Sequence, residues 1–242
     1  MGKQYWRGGN MLYPVPAVMV SCGRPEERPN IITVAWAGTV CSSPAMVSIS
    51  VRKERYSYDI LKETGEFVIN LITRDLTYAT DFCGVRSGRD VDKFAQMHLT
   101  PLPSQHISAP GIAESPVNLE CKVTQVIPLG SHDMFLAEVL GVTVDEKYMD
   151  ENGKFHLNDA GLVAYSHGEY FELGEKLGKF GYSVAKKQVA KPEPVTKSAK
   201  PSGAGKKAVS VEKRTALKTG AGNRRKSASK TGSADKQKSR RK

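Results

Sequence analysis

The stretch VNLECKVTQVIPLGSHDMFLAEVLGVTV, residues 117–144, decides the fold class of this chain. Residues 117–127 and 134–144 are two long runs rich in β-branched and apolar side chains, which is typical of β-strands. Leu129-Gly130-Ser131 lies between the runs and predicts a turn. We therefore expect a long antiparallel hairpin in a mainly β protein.

Shorter patterns on both sides of this hairpin support the same fold class. We predict further strands at residues 15–21, 30–37, 45–51, 66–71 and 162–166. Helices are predicted at residues 57–64, with Ser57 as N-cap and Gly65 as the stop, at residues 74–82, and from about Asp90 onward. Several strands with few helices favour an antiparallel β-barrel over a doubly wound sheet.

The charge of the chain is divided unevenly along its 242 residues, whose net charge is +11. Residues 1–185 carry 17 Lys and Arg against 22 Asp and Glu, a net charge of −5, and are long enough for one well-packed domain. Residues 186–242 carry 19 Lys and Arg against 3 Asp and Glu, a net charge of +16. This second part has no aromatic residue, which predicts a disordered basic tail.

The four cysteines argue against a zinc site or a redox dithiol, because they lie far apart and form no Cys-x-x-Cys pair. Reduced thiols in a cytoplasmic protein are the expected state. The apolar residues 11–22 faintly resemble a signal peptide. They are too short to span a bilayer, and Pro14 and Pro16 interrupt them, so we expect a β-strand and no membrane contact.

A candidate anion-binding loop follows the second predicted helix. It reads Arg86-Ser87-Gly88-Arg89, with Lys93 four residues further on. Glycine permits close backbone approach to a ligand, and the hydroxyl and the fixed positive charges suit a phosphate or sulfate. The same residues also fit an exposed glycine turn before a short helix, and this run alone does not separate the two interpretations.

Two other segments carry candidate ligand contacts. Arg52 ends a predicted strand just before the helix expected at Ser57, and helix N-termini attract phosphate, although an ordinary capped helix fits equally. The strand from Asn30 to Trp36 could support a flat ligand, or could simply be a core strand. No acid, base or nucleophile set and no metal-ligand pattern is apparent, which fits a protein whose bound cofactor performs the chemistry.

Five motifs in series resemble the flavin reductase-like, FMN-binding split-barrel family, and within it the flavoredoxin branch. They are, in chain order, residues 30–36, residues 47–52 with 56–57, residues 65–70, residues 81–94, and residues 168–175 with 181–183. The resemblance covers about residues 10–184 and excludes the tail. It implies a six-stranded antiparallel Greek-key split barrel with a few short helices, a homodimer, and FMN bound near the subunit interface.

The resemblance also implies roles for individual residues. The flavin would be lined by Asn30, Thr33, Val34, Ala35 and Trp36, with Ser50 and Val51 near the ring or the ribityl chain. The phosphate would be held by Arg52, Ser57, Ser87 and Lys93. His132 and Tyr165 would lie near the flavin from later strands. With the phosphate assigned to Ser87 and Lys93, our own expectation is that Arg86 and Arg89 face only solvent or the partner subunit.

The function expected from the resemblance is an FMN-dependent oxidoreductase that takes electrons from NAD(P)H or a small redox protein. Two other hypotheses stay open. The basic tail could bind nucleic acid or another acidic surface without sequence preference. The barrel could also serve as a structural module that binds no FMN.

Overall fold

A computed structural model describes residues 1–185, and within them the chain forms twelve β-strands and three short α-helices. The strands are β1 (Val15–Pro16), β2 (Val18–Cys22), β3 (Asn30–Val34), β4 (Ala37–Ser42), β5 (Ala45–Arg52), β6 (Glu66–Leu71), β7 (Pro101–Leu102), β8 (Gly111–Ile112), β9 (Val117–Pro128), β10 (His132–Val144), β11 (Val163–Ser166) and β12 (Glu169–Glu172). The helices are α1 (Tyr56–Thr64), α2 (Thr77–Val85) and α3 (Lys93–Gln96), and short 3₁₀ turns lie at Glu146–Tyr148, Leu157–Ala160 and Tyr182–Val184. The predicted tail, residues 186–242, and the nucleic-acid contact expected of it lie outside the described residues.

Seven of these strands form one antiparallel sheet in the order β3-β2-β6-β9-β10-β5-β4. Its two edge strands, β3 and β4, are joined by only Ala35 and Trp36. Three Cα steps cover at most about 11 Å, whereas a flat sheet would separate its outer strands by roughly 29 Å at ~4.8 Å per strand. The sheet therefore curls until its edges meet, as a barrel requires.

The mainly β fold and the long hairpin are confirmed, but the main sheet has seven strands where six were expected. The predicted strand at residues 30–37 ends at Val34, and a separate strand, β4, begins at Ala37. The patterns of β4 and β12 were missed because both are short and mostly exposed, so neither shows a clear apolar alternation.

Successive side chains of the buried strands β2 and β3 point to opposite faces of the sheet, which divides the core into two parts. Val18, Val20 and Cys22 on β2 point into the barrel, where they pack with Phe67 and Phe135 among others. The intervening Met19 and the neighbouring Ile31 on β3 pack outside the barrel against residues of α2 and α3, including Cys83 and Phe94. These two helices are therefore fixed against the outer face of β2 and β3.

The start of α1 differs from the sequence prediction. Arg55 is the N-cap residue and provides no side-chain cap, whereas Ser57 lies inside the first turn. The C-terminal prediction is confirmed, since Gly65 has a left-handed φ of 64° and its N–H donates to the Leu61 carbonyl over 3.0 Å. The Tyr58 N–H donates to the Arg55 carbonyl over 2.9 Å, whereas the N–H groups of Tyr56 and Ser57 have no acceptor within the helix.

All four cysteines are free thiols, and Cys22, Cys83 and Cys121 are buried. Within the described residues no helix is long and apolar enough to cross a membrane. The thiols agree with the expectation of reduced cysteines.

Candidate functional site

A cavity of about 150 Å³ opens where three segments meet. The first is the start of β3, the second is the residues around the N-terminus of α1, and the third runs from the end of α2 to the start of α3. Four of the predicted site residues line this cavity together: Asn30, Ser57, Ser87 and Lys93. The candidate anion loop and the candidate helix N-terminus are therefore parts of one site.

Lys93 lies at the base of the cavity and is only 3 % exposed. Its Nζ donates to the main-chain carbonyls of Ile31, over 2.6 Å, and of Cys83, over 2.7 Å. An ammonium group has three N–H donors, and both of these acceptors are neutral. No ion pair within residues 1–185 includes Lys93. One donor and an uncompensated positive charge are thus available to an anion.

Burial lowers the pKa of Lys93, because removal from water disfavours the charged ammonium. A bound anion would oppose that effect and hold the lysine in its charged form. Burial acts oppositely on the neighbouring thiol and raises the pKa of Cys83 to about 11, so this sulfur stays protonated and unreactive near neutral pH.

Asn30 and Ser57 form the second polar pair of the cavity. Both side chains are buried, and the Asn30 Nδ2 donates to the Ser57 Oγ over 2.7 Å. Ser57 Oγ accepts this bond, and its hydroxyl proton can be donated to a ligand. Ser57 also belongs to the first turn of α1, in which the main-chain N–H groups of Tyr56 and Ser57 have no intrahelical acceptor.

Gly88 brings the loop between α2 and α3 into direct contact with this pair. A Cβ atom added to Gly88 would lie 2.1 Å from Asn30 Oδ1 and 2.7 Å from Tyr56 Cδ1. The Gly88 carbonyl accepts a hydrogen bond from Arg28 Nη2 over 2.9 Å. Glycine is therefore required here by close approach.

Three arginines surround the mouth of the cavity: Arg55, Arg86 and Arg89. The Arg89 guanidinium lies over the Tyr56 ring, 5.4 Å from its centroid, and the Arg89 main-chain N–H donates to Ser87 Oγ over 3.2 Å. Arg86 and Arg89 are exposed to solvent, and both also line the cavity. Sequence reasoning also missed Arg55 and Tyr56, although Arg55 belongs to the basic run that begins at Arg52.

Four of the remaining predicted residues lie on β3 and β5, where their side chains or main-chain groups already have partners within the protein. The Thr33 hydroxyl donates to the Thr80 carbonyl and fastens β3 to α2. Val34 and Val51 are buried in the barrel core, so only their main chain can meet a ligand. The Ser50 N–H donates to the Trp36 carbonyl over 2.8 Å, which links β5 to the β3–β4 connection.

Arg52 and His132 pair in register across β5 and β10, outside the cavity. Arg52 is exposed and forms an ion pair with Glu54 over 3.1 Å. Burial lowers the pKa of His132, and the charge of Arg52 lowers it further, so its imidazole is neutral at neutral pH.

Tyr13 lies between Trp36 and Tyr165, and its ring centroid is 6.2 Å from the ring centroid of each. Together with the half-buried Ala35, these residues also lie outside the cavity. Ligand pockets usually measure roughly 300–1,000 Å³, so the cavity is large enough only for one end of a cofactor-sized ligand. The rest of such a ligand would have to lie along the protein surface outside it.

Comparisons with known proteins agree with this architecture. A family model described as flavin reductase like domain matches residues 10–174. The flavoredoxin of Desulfovibrio vulgaris (Miyazaki F) is similar in structure, with a TM-score of 0.70 and 33 % identity over 76 % of this chain and 100 % of that one. A flavoredoxin from Methanosarcina acetivorans shares the fold, with a TM-score of 0.67 and 24 % identity over 76 % of this chain and 100 % of that one. An uncharacterised protein of Archaeoglobus fulgidus is 31 % identical over 160 residues, which are 66 % of this chain and 88 % of that protein.

Proposed function

The chain belongs to the flavin reductase-like family, and on that premise we propose that it is an FMN-binding oxidoreductase. It takes electrons from NAD(P)H or from a small redox protein and passes them on through the bound FMN. The observation that carries the proposal is the buried Lys93, whose ammonium group donates only to neutral carbonyls at the base of the cavity.

The donors around the cavity fit the phosphate end of FMN. A phosphate monoester carries a charge of about −1.5 to −2 and three acceptor oxygens. Lys93 supplies a charge-assisted bond, Ser57 and Ser87 supply hydroxyls, and the N-terminus of α1 supplies main-chain N–H groups. The same arrangement argues against a structural module without FMN, because burying an uncompensated lysine is costly unless a ligand neutralises it.

The side chains of the protein bind and orient the cofactor. When bound, the flavin itself accepts electrons from a donor and gives them to an acceptor. Lys93 and Ser57 anchor its phosphate in a buried position that excludes water, which fixes the ring outside the cavity. The carboxylate that lines the cavity, Glu54, is exposed and already paired with Arg52. No protein acid or base is needed for the proposed transfer.

Thirteen residues are proposed to contact the flavin, in the roles that the family resemblance implies. The cavity supports four of these assignments through its geometry, and the others rest on position in the chain. Trp36 and Tyr165 belong to an aromatic cluster that could cover a flat ring. His132 offers a neutral imidazole at the end of β10.

A homodimer is part of the proposal. The main sheet leaves apolar side chains open to solvent, among them Val40 on β4 and Leu140 and Val142 on β10. Exposed apolar surface on a β-sheet commonly marks an association face, and a second copy of this chain is the proposed occupant. Analytical ultracentrifugation of the full chain should give twice the 26.4 kDa mass of one chain, whereas a monomer at micromolar concentration would remove this part of the proposal. Four free thiols suit a reducing compartment, and we propose the cytoplasm.

The experiment that tests the function uses the purified full chain. Excess FMN is added and removed by gel filtration, and the absorbance spectrum of the protein is recorded before and after anaerobic addition of NADH or NADPH. We expect a bound flavin spectrum that bleaches with a pyridine nucleotide or with a reduced redox protein. A preparation that stays colourless after addition of FMN would refute the proposal. Retained flavin that no pyridine nucleotide reduces would limit the donor to a redox protein.

A further inference from the structure

The cavity carries more positive charge than one phosphate requires. Four cationic side chains line it, namely Lys93, Arg55, Arg86 and Arg89. The carboxylate among the lining residues, Glu54, is already paired with Arg52 over 3.1 Å. A phosphate monoester has a charge of about −1.5 to −2, so a bound FMN phosphate would leave roughly two positive charges uncompensated.

These charges lie at two levels. Lys93 and the neighbouring Ser57 are buried at the base, whereas Arg86 and Arg89 are exposed at the mouth. No ion pair within residues 1–185 includes either arginine. The inner and outer cations are therefore suited to different anionic groups.

Arg89 is held in place without being neutralised. Its guanidinium lies over the Tyr56 ring, 5.4 Å from the centroid, and its Nη1 donates over 3.4 Å to the main-chain carbonyl of Glu54. Both partners position the group and leave its charge intact. An oriented planar guanidinium with free donors matches the geometry of a phosphate, which it can bind with two parallel hydrogen bonds.

Arg86 is fixed at the same rim by the end of α2. It is the C-cap residue of this helix, and its N–H donates to the Phe82 carbonyl over 3.0 Å. Arg86 and Arg89 flank Ser87 and Gly88 in the chain, and all four residues line the cavity.

We propose that Arg86 and Arg89 form a second phosphate subsite, which binds a phosphate of a dinucleotide whose reactive ring lies against the flavin site. The inference rests on the proposed function, since it assigns the inner position to the FMN phosphate. Two ligands could supply this chemistry, which is a phosphate group bound next to the inner phosphate position. Its source is either the adenylate half of FAD or the phosphates of a nicotinamide dinucleotide donor.

The test compares two double variants of the full chain. Arg86→Gln/Arg89→Gln removes the rim charges, and Lys3→Gln/Arg7→Gln removes two charges from the exposed N-terminal segment as the matched control. Circular dichroism confirms folding of both. Flavin fluorescence gives the Kd for FMN and for FAD, and the concentration dependence of anaerobic flavin bleaching gives the apparent Kd for NADPH and NADH with the FMN-loaded protein.

We expect the rim variant to bind FMN within about twofold of wild type, and to bind FAD or the nicotinamide dinucleotides about tenfold more weakly, the size of one lost charge-assisted bond. Loss confined to FAD identifies the adenylate half, and loss confined to NADPH and NADH identifies the donor. Equal weakening of FMN and the dinucleotides would overturn the proposal, and so would unchanged affinities. Failure of the wild type to bind FMN would instead refute the proposed function.

Discussion

Substituting Gly88 by alanine should destabilise the protein and disable its cavity together. A Cβ atom at this position would lie 2.1 Å from Asn30 Oδ1, 2.6 Å from Asn30 Cγ and 2.7 Å from Tyr56 Cδ1. All three distances are shorter than any real contact of a Cβ atom. Asn30 is buried and is bonded to Ser57, so it cannot move aside without giving up that bond.

The expected cost follows from two effects. Overpacking in a packed region costs about 1–3 kcal/mol, and losing the hydrogen bond between Asn30 and Ser57 adds roughly 0.5–1.5 kcal/mol. We expect the free energy of unfolding of Gly88→Ala to fall by about 1.5–4.5 kcal/mol. FMN affinity should fall as well, because Ser57 and the loop at Gly88 both line the cavity.

Urea unfolding and a fluorescence titration with FMN measure the two effects. Gly174→Ala is the matched control, since a Cβ atom there meets nothing within 4 Å. The control should match the wild type in both assays. The close-approach argument would be refuted if Gly88→Ala were as stable as the control and bound FMN equally well.

The contacts of Lys93, Ser57 and Asp133 can each be tested separately. Burial lowers the pKa of Lys93, and only the charged ammonium attracts phosphate. FMN affinity, measured by titration, should therefore fall as the pH rises through that lowered pKa. An affinity that is independent of pH between 7 and about 10 would contradict this role. Ser57→Ala leaves the buried amide of Asn30 without its acceptor and should lower the unfolding free energy by about 1–3 kcal/mol, whereas Ser57→Thr should retain most of it in the same urea assay. The hydrogen bond from Tyr58 over 2.5 Å lowers the pKa of Asp133. This carboxylate therefore contributes stability that is present above its unfolded pKa and is lost as the pH falls through its folded pKa. In Tyr58→Phe the decrease in Tm between pH 5 and pH 3 should be smaller than in the wild type.

The sequence predicted the long hairpin well because its cause is local. Residues 117–144 alternate or cluster apolar side chains over two long runs, and a glycine turn separates them. The break after Val34 was missed, since the segment through Trp36 is β-branched and aromatic throughout and reads as one strand. Closure of the barrel imposes this break, because the chain must pass there from one edge of the sheet to the other.

Only part of the site was predicted, because local sequence identifies candidate residues but not the contacts between distant segments. Residue type and position identified Lys93 and Ser57 as candidates, and the structure places both in one cavity. The sequence could not show that Lys93 is buried against two carbonyls, or that Arg89 lies over Tyr56, because these contacts join segments that are distant in the chain. For the same reason Ser57 was mistaken for a helix cap, although its hydroxyl is used by Asn30.

The central claim is that the cavity beside Lys93 holds the phosphate of FMN. The most direct measurement compares the Kd for FMN with the Kd for riboflavin, which has the same ring and no phosphate, in the wild type and in Lys93→Met. Methionine keeps the length and burial of the side chain and removes its charge. We predict that the wild type binds FMN at least about tenfold more tightly than riboflavin, and that Lys93→Met abolishes most of this difference while riboflavin affinity is unchanged. Equal affinities for FMN and riboflavin in the wild type, or a preference for FMN that Lys93→Met leaves intact, would contradict the claim.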